Sequence, residues 1–135
     1  MKARFAGIVV ALLASLPAQA ARVVGVSVNS VVHPVTLEII THAIGQARAE
    51  RADLLLIRLN TPGGLMEATR QIVEQLVASP VPVVTYVTPS GGRAASAGFF
   101  LLQAGDVAAM APGTNTGAAS PVLLGGQMGA VMRRK

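Results

Sequence analysis

A chain of 135 residues has room for one domain, and its 52% hydrophobic content excludes a disordered polymer. With no cysteine, neither disulfides nor thiolate metal sites can stabilise it, so an aliphatic core must do so alone. The formal charge of +5 falls to about +3 without Lys2 and Arg4, and the remaining basic residues are scattered except for Arg133-Arg134-Lys135, a pattern without the basic stripe of a nucleic-acid-binding protein.

Residues 1–20 read as a secretory signal. Lys2 and Arg4 make a basic start, Ile8 to Leu16 an apolar centre, and Ala18-Gln19-Ala20 a small-residue cleavage site. The apolar centre is well short of the roughly 20 residues needed to span a bilayer. Cleavage is expected after Ala20, leaving 21–135 as one domain outside the cytoplasm.

Arg22 to Asn29 alternates with β-branched residues and predicts a first strand. His33-Pro34 opens a helix that runs to about Ala49, since proline costs nothing in a first helical turn. Asp53 to Leu59 is a near-continuous apolar run, as expected for a strand buried on both faces. The next helix is amphipathic: Leu65, Thr69, Ile72 and Leu76 share a face with Met66, Val73 and Val77 beside them, and Glu67, Arg70 and Glu74 point outward. Pro80 and Pro82 end it, and Val83 to Val87 forms the following strand. Ala94 to Gln103 reads as a short helix, and Asp106 to Met110 as a fourth strand. Strands alternating with helices predict an α/β fold with parallel strands and right-handed crossovers.

Two small-residue turns carry the chemistry. Thr61-Pro62-Gly63-Gly64 follows one apolar strand, and its glycines leave backbone N–H groups bare, as stabilisation of an oxyanion requires. Arg93-Ala94-Ala95-Ser96-Ala97-Gly98 follows the next and sets one hydroxyl among alanines, where a nucleophile can be presented. Backbone N–H groups at Gly64 and Ala97 are the natural oxyanion donors. Each turn also has a plainer reading, a strand-to-helix connection in the first and a helix-terminal hydroxyl in the second. Neither G-x-x-x-x-G-K-[ST] nor G-x-G-x-x-G is present to favour phosphate binding. No His and carboxylate cluster has metal-ligand spacing, and neither metal nor cofactor is expected.

The segments Leu59-Asn60-Thr61-Pro62-Gly63-Gly64-Leu65, Gly92-Arg93-Ala94-Ala95-Ser96-Ala97-Gly98 and Ala109-Met110-Ala111-Pro112-Gly113-Thr114-Asn115-Thr116-Gly117-Ala118, in that order, resemble the catalytic domain of the NfeD-type membrane-associated serine proteases. These are relatives of signal-peptide peptidase A and, more distantly, of the Clp proteolytic subunit. The resemblance implies a Clp/crotonase-like spiral of β-β-α units and makes Ser96 the nucleophile. It places the catalytic lysine after the proline- and glycine-rich segment, where Met132-Arg133-Arg134-Lys135 falls. His33 and His42 precede Ser96 and no histidine follows it, so Lys135 is the expected general base, provided burial lowers its pKa toward the working pH. A surface charge in a basic tail is its alternative. Gly63 and Leu65, and the loop residues Gly113, Thr114 and Asn115, are implied on the substrate side, where an extended peptide can pair in strand fashion; an ordinary Gly/Asn turn is the loop's alternative.

The expected activity is that of an extracytoplasmic, periplasm-facing serine endopeptidase with a Ser/Lys dyad. The implied substrate is an apolar segment of a membrane protein, with a stomatin-like partner among the candidates. The family also implies membrane association and allows a homodimer. Its members continue into membrane-spanning helices and a small β-barrel, so the domain is expected to be incomplete at its C-terminus and its activity weak or absent as it stands. Two other readings stay open: a catalytically inactive peptide-binding fragment of the same fold, and a crotonase-like enzyme acting on acyl-CoA, which the secretory signal disfavours.

Overall fold

The computed structural model describes residues 20–120. The leader before Ala20 and the base candidate Lys135 lie outside them. In chain order the elements are β1 (Val23–Val28), α1 (Pro34–Ala49), β2 (Leu54–Leu59), α2 (Met66–Val77), β3 (Val83–Val87), β4 (Arg93–Ala95), α3 (Ala97–Gln103), β5 (Val107–Met110) and β6 (Asn115–Gly117).

Strands β1, β2, β3 and β5 form one sheet in that order, all pairs parallel. Each step across the sheet is made in the same direction, so right-handed crossovers put every helix on one face. That face carries the core: Val24 and Val28, Leu55, Ile57 and Leu59, and Val83 and Val87 are buried, against Ile40, Ala43 and Ala47 of α1, Ala68, Ile72 and Leu76 of α2, and Leu101 and Leu102 of α3. The opposite face of β2 departs from expectation. Leu54 and Leu56 are only half-buried and Arg58 is exposed, because no described element packs there. The apolar run is a one-sided strand among the described residues, its second face left partly open.

Local chemistry explains the element ends. His33 caps α1 with its imidazole: the Val35 N–H donates to Nδ1 at 3.3 Å, and the His33 N–H donates to the Thr36 hydroxyl at 3.3 Å, a reciprocal box. Asp53 and Asp106, each just ahead of a strand, accept from the backbone of the neighbouring strand's start, Arg22 N–H at 2.7 Å and Val83 N–H at 2.8 Å. In α2 the buried stripe is Ala68, Thr69, Ile72 and Leu76, while Leu65, Met66 and Val77 are exposed, against the expectation that they line the buried face. Helix α3 begins at Ala97 rather than Ala94. Residues Arg93–Ala95 are a strand, paired in parallel with Asn115–Gly117 in a second, two-stranded sheet.

Candidate active site

The two small-residue turns meet. Leaving β2, the chain makes single parallel bridges from Thr61 to Ala94 and from Gly64 to Val32. Thr61 is the joint: its N–H donates to the Arg93 carbonyl at 2.7 Å and its carbonyl accepts from Ala95 at 3.1 Å. Asn60 adds a side-chain tie, Oδ1 accepting from the Arg93 N–H at 3.2 Å and Nδ2 donating to Asn29 Oδ1 at 2.8 Å. The glycine turn and the serine turn are therefore held together by backbone pairing.

Ser96 sits at the junction of β4 and α3 with φ 52° and ψ −115°. A non-glycine residue in this left-handed region costs on the order of 1–3 kcal/mol and persists where its surroundings over-determine it. Here its N–H donates to the Gly117 carbonyl at 2.7 Å and its carbonyl accepts from Phe99 at 3.0 Å. The half-buried side chain lies against Gly63, where a Cβ would stand 2.6 Å from Ser96 Cβ and 3.1 Å from its Oγ. Only hydrogen fits there, and Gly63 has φ +118°, so glycine is required twice over.

The two donor candidates are arranged differently. On one side of the turn the Gly63 carbonyl accepts from Val32 at 2.8 Å and the Leu65 N–H donates to the Val32 carbonyl at 2.9 Å. In parallel pairing this turns the N–H and C=O of Gly64 to the other side. Gly64 is exposed, and a Cβ on it would overlap the Val32 carbonyl. Ala97 is buried, and as the first residue of α3 its N–H has no intrahelical acceptor. Leu65 is 48% exposed and ready for contact.

On the loop side, Gly113 has φ +73° and Asn115 opens β6, its N–H donating to the Gly92 carbonyl at 3.2 Å. The Thr114 hydroxyl donates to the Ala111 carbonyl at 2.6 Å, so this side chain closes its own turn. The segment read as a substrate loop or a Gly/Asn turn is a turn followed by a strand. One edge of that strand is taken by β4, and its other edge has no partner among the described residues.

Two contributors escaped the sequence reading. Thr61 is fully buried and accepts the Gly63 N–H on its hydroxyl at 3.1 Å; Asn60 ties the strands that flank the site. Both lie in the Leu59 to Leu65 segment that carries the resemblance, but nothing in it marks their side chains as ties between strands.

The family described as NfeD1b, N-terminal domain, matches residues 22–131. The chain is 41% identical over 86 residues to the membrane-bound protease PH1510 of Pyrococcus horikoshii, covering 64% of this chain and 20% of that protein. It is 34% identical over 83 residues to membrane protein NfeD1b of Bacillus subtilis, covering 62% and 18%. It thus spans about a fifth of the length of these curated relatives. Among solved structures, a lysine-to-alanine mutant of the 1510-N membrane-bound stomatin-specific protease with a substrate peptide superposes with TM-score 0.74 at 35% identity, covering 76% of this chain and 47% of that one. A serine-to-alanine mutant of the same protease superposes with TM-score 0.77 at 33% identity, covering 83% and 54%. ClpP1 of Listeria monocytogenes shares the fold, with TM-score 0.62 at 22% identity over 67% of this chain and 53% of that one. The relatives are membrane-bound proteins; among the described residues no helix is long and apolar enough to cross a membrane.

Proposed function

The chain belongs to the NfeD1b N-terminal domain family, with its parallel-stranded Clp-like fold, and from that premise we propose that it is the catalytic domain of a serine endopeptidase. The observation that carries the reading is Ser96, a serine held at φ 52° with its hydroxyl against the glycine turn. Arg51 and Ala118 share this conformation, with φ 52° and 51°, and what sets Ser96 apart is its hydroxyl beside the glycine turn.

In the proposed reaction the neutral amine of Lys135 takes the Ser96 hydroxyl proton as Oγ attacks the scissile carbonyl. The carbonyl oxygen becomes an oxyanion between the N–H groups of Gly64 and Ala97. Collapse breaks the C–N bond, and the lysine returns its proton to the leaving amine. Water, deprotonated by the same amine, then hydrolyses the acyl ester and regenerates Ser96. The peptide lies extended along Gly63, Gly64 and Leu65 on one side and Gly113, Thr114 and Asn115 on the other. The substrate class is an apolar segment of a membrane protein, a stomatin-like protein among the candidates, as the substrate specificity named for the 1510-N relative supports. Residues 1–20 act as an export signal and the domain works on the outer side of the inner membrane, which N-terminal sequencing tests by finding Ala21 first.

The test is hydrolysis of an apolar peptide by the full-length protein, with labelling by a serine-directed phosphonate. Ser96→Ala and Lys135→Ala are each expected to lower kcat by at least about 10³-fold, and Ser96→Ala to abolish labelling. Activity should climb toward alkaline pH, since the base acts only after losing its proton. Equal rates for all three proteins would remove the dyad.

A further inference from the structure

The glycine turn offers two amides to the site, and only one can hold an oxyanion in the geometry described. The Gly63 N–H is engaged internally by the Thr61 hydroxyl at 3.1 Å, and the same hydroxyl lies 3.3 Å from the Gly63 carbonyl. That carbonyl is in turn fixed by Val32. Between these ties the Gly64 N–H is the one left facing outward.

We propose that Thr61 is a positioning residue that selects the oxyanion donor: its hydroxyl accepts from the Gly63 N–H and donates to the Gly63 carbonyl, so it holds the peptide groups on both sides of Gly63, withdrawing the Gly63 N–H and, together with Val32, aiming the Gly64 N–H at the reacting carbonyl. Without the hydroxyl, the Gly63 N–H is a buried donor lacking its partner. Glycine tolerates either sign of φ, so the Pro62-Gly63 peptide, with one restraint fewer, can turn its N–H toward the site and present the wrong amide. The methyl of Thr61 has a second task. A Cβ on Gly98 would stand 2.6 Å from Thr61 Cγ2, so helix α3, whose first N–H is the other donor, rests directly on this side chain. Thr61 therefore sets the spacing of both donors, the hydroxyl acting on the glycine turn and the methyl on the helix. It touches no reacting atom and acts only through its neighbours.

The inference rests on the proteolytic reading for its catalytic consequence, and on amide protection for its structural one, so the two can fail separately. In the full-length protein, Thr61→Val keeps the shape and removes the hydroxyl; kcat is expected to fall about 10²-fold, the scale of one lost oxyanion donor, with KM within about twofold. Thr61→Ser restores the hydroxyl and is expected to stay within about tenfold of wild type. By NMR hydrogen exchange, the Gly63 amide should be protected in wild type and Thr61→Ser and unprotected in Thr61→Val. A wild-type kcat in Thr61→Val, an equal loss in Ser and Val, or a loss confined to KM overturns the proposal. So does an unprotected Gly63 amide in the wild-type protein, even should Thr61→Val fail to fold. If Ser96→Ala leaves hydrolysis unchanged, the proteolytic reading falls, and the Gly63 exchange still decides the lock.

Discussion

The two turns that build the site solve the same backbone problem in opposite ways. At Gly63 the chain takes φ +118° with a glycine, because that turn contributes only backbone and any side chain would strike Ser96. At Ser96 it takes φ 52° with a side chain in place, and the strain is held by the bonds from its N–H to Gly117 and from Phe99 to its carbonyl. In the proposed protease, the position that offers an amide is a glycine fitted to the geometry, and the position that offers an oxygen keeps its side chain at a conformational cost.

The contrast breaks most severely at Gly64→Ala. The new methyl would overlap backbone atoms of Val32, which cannot swing aside as a side chain can, so a loss of about 3 kcal/mol or more is expected in denaturant unfolding. Gly91→Ala sharpens it: φ is +81° with nothing within 4 Å of the added carbon, so only the conformational cost of about 1–2 kcal/mol should appear. Smaller again is the difference between Ser96→Gly and Ser96→Ala. Both remove the hydroxyl, but glycine also relieves the strain, less its own unfolded-state entropy. Ser96→Gly should be the more stable by up to about 1 kcal/mol.

The least effect is expected far from both turns, at Glu67. Hydrogen bonds from Gln71 and Arg70, and the charge of Arg70, hold its carboxyl below the ordinary 4.5. A depressed carboxylate stabilises above its unfolded value and loses that contribution as pH falls through the folded one. At full exposure the contribution is screened, so Glu67→Gln should leave thermal midpoints at neutral pH unchanged within error.

Much of this was legible because local and global demands agreed. Pro34 marked the start of α1 correctly, as did the paired prolines the end of α2, since fixed φ and missing N–H groups act locally. The alanines before Ser96 misled. Ala94 and Ala95 favour helix intrinsically, yet they are drawn into a strand by Thr61 on one side and by Thr116, whose hydroxyl donates to the Ala94 carbonyl at 2.7 Å, on the other. Leu65, Met66 and Val77 fit a helical stripe by spacing, but the neighbouring elements do not reach them. At the site, Ser96, Gly63 and Gly64 were visible through their motifs. The selecting role of Thr61 was not, because it depends on which way one peptide group points, and no residue pattern encodes that.

The bond from Ser96 N–H to the Gly117 carbonyl makes the backbone of the proposed nucleophile depend on a strand that comes later in the chain. Without that pairing the serine keeps the Phe99 bond to its carbonyl but loses the tie on its own N–H. In the proposed protease, reactivity at Ser96 therefore draws on a contact made well beyond the serine turn in the sequence.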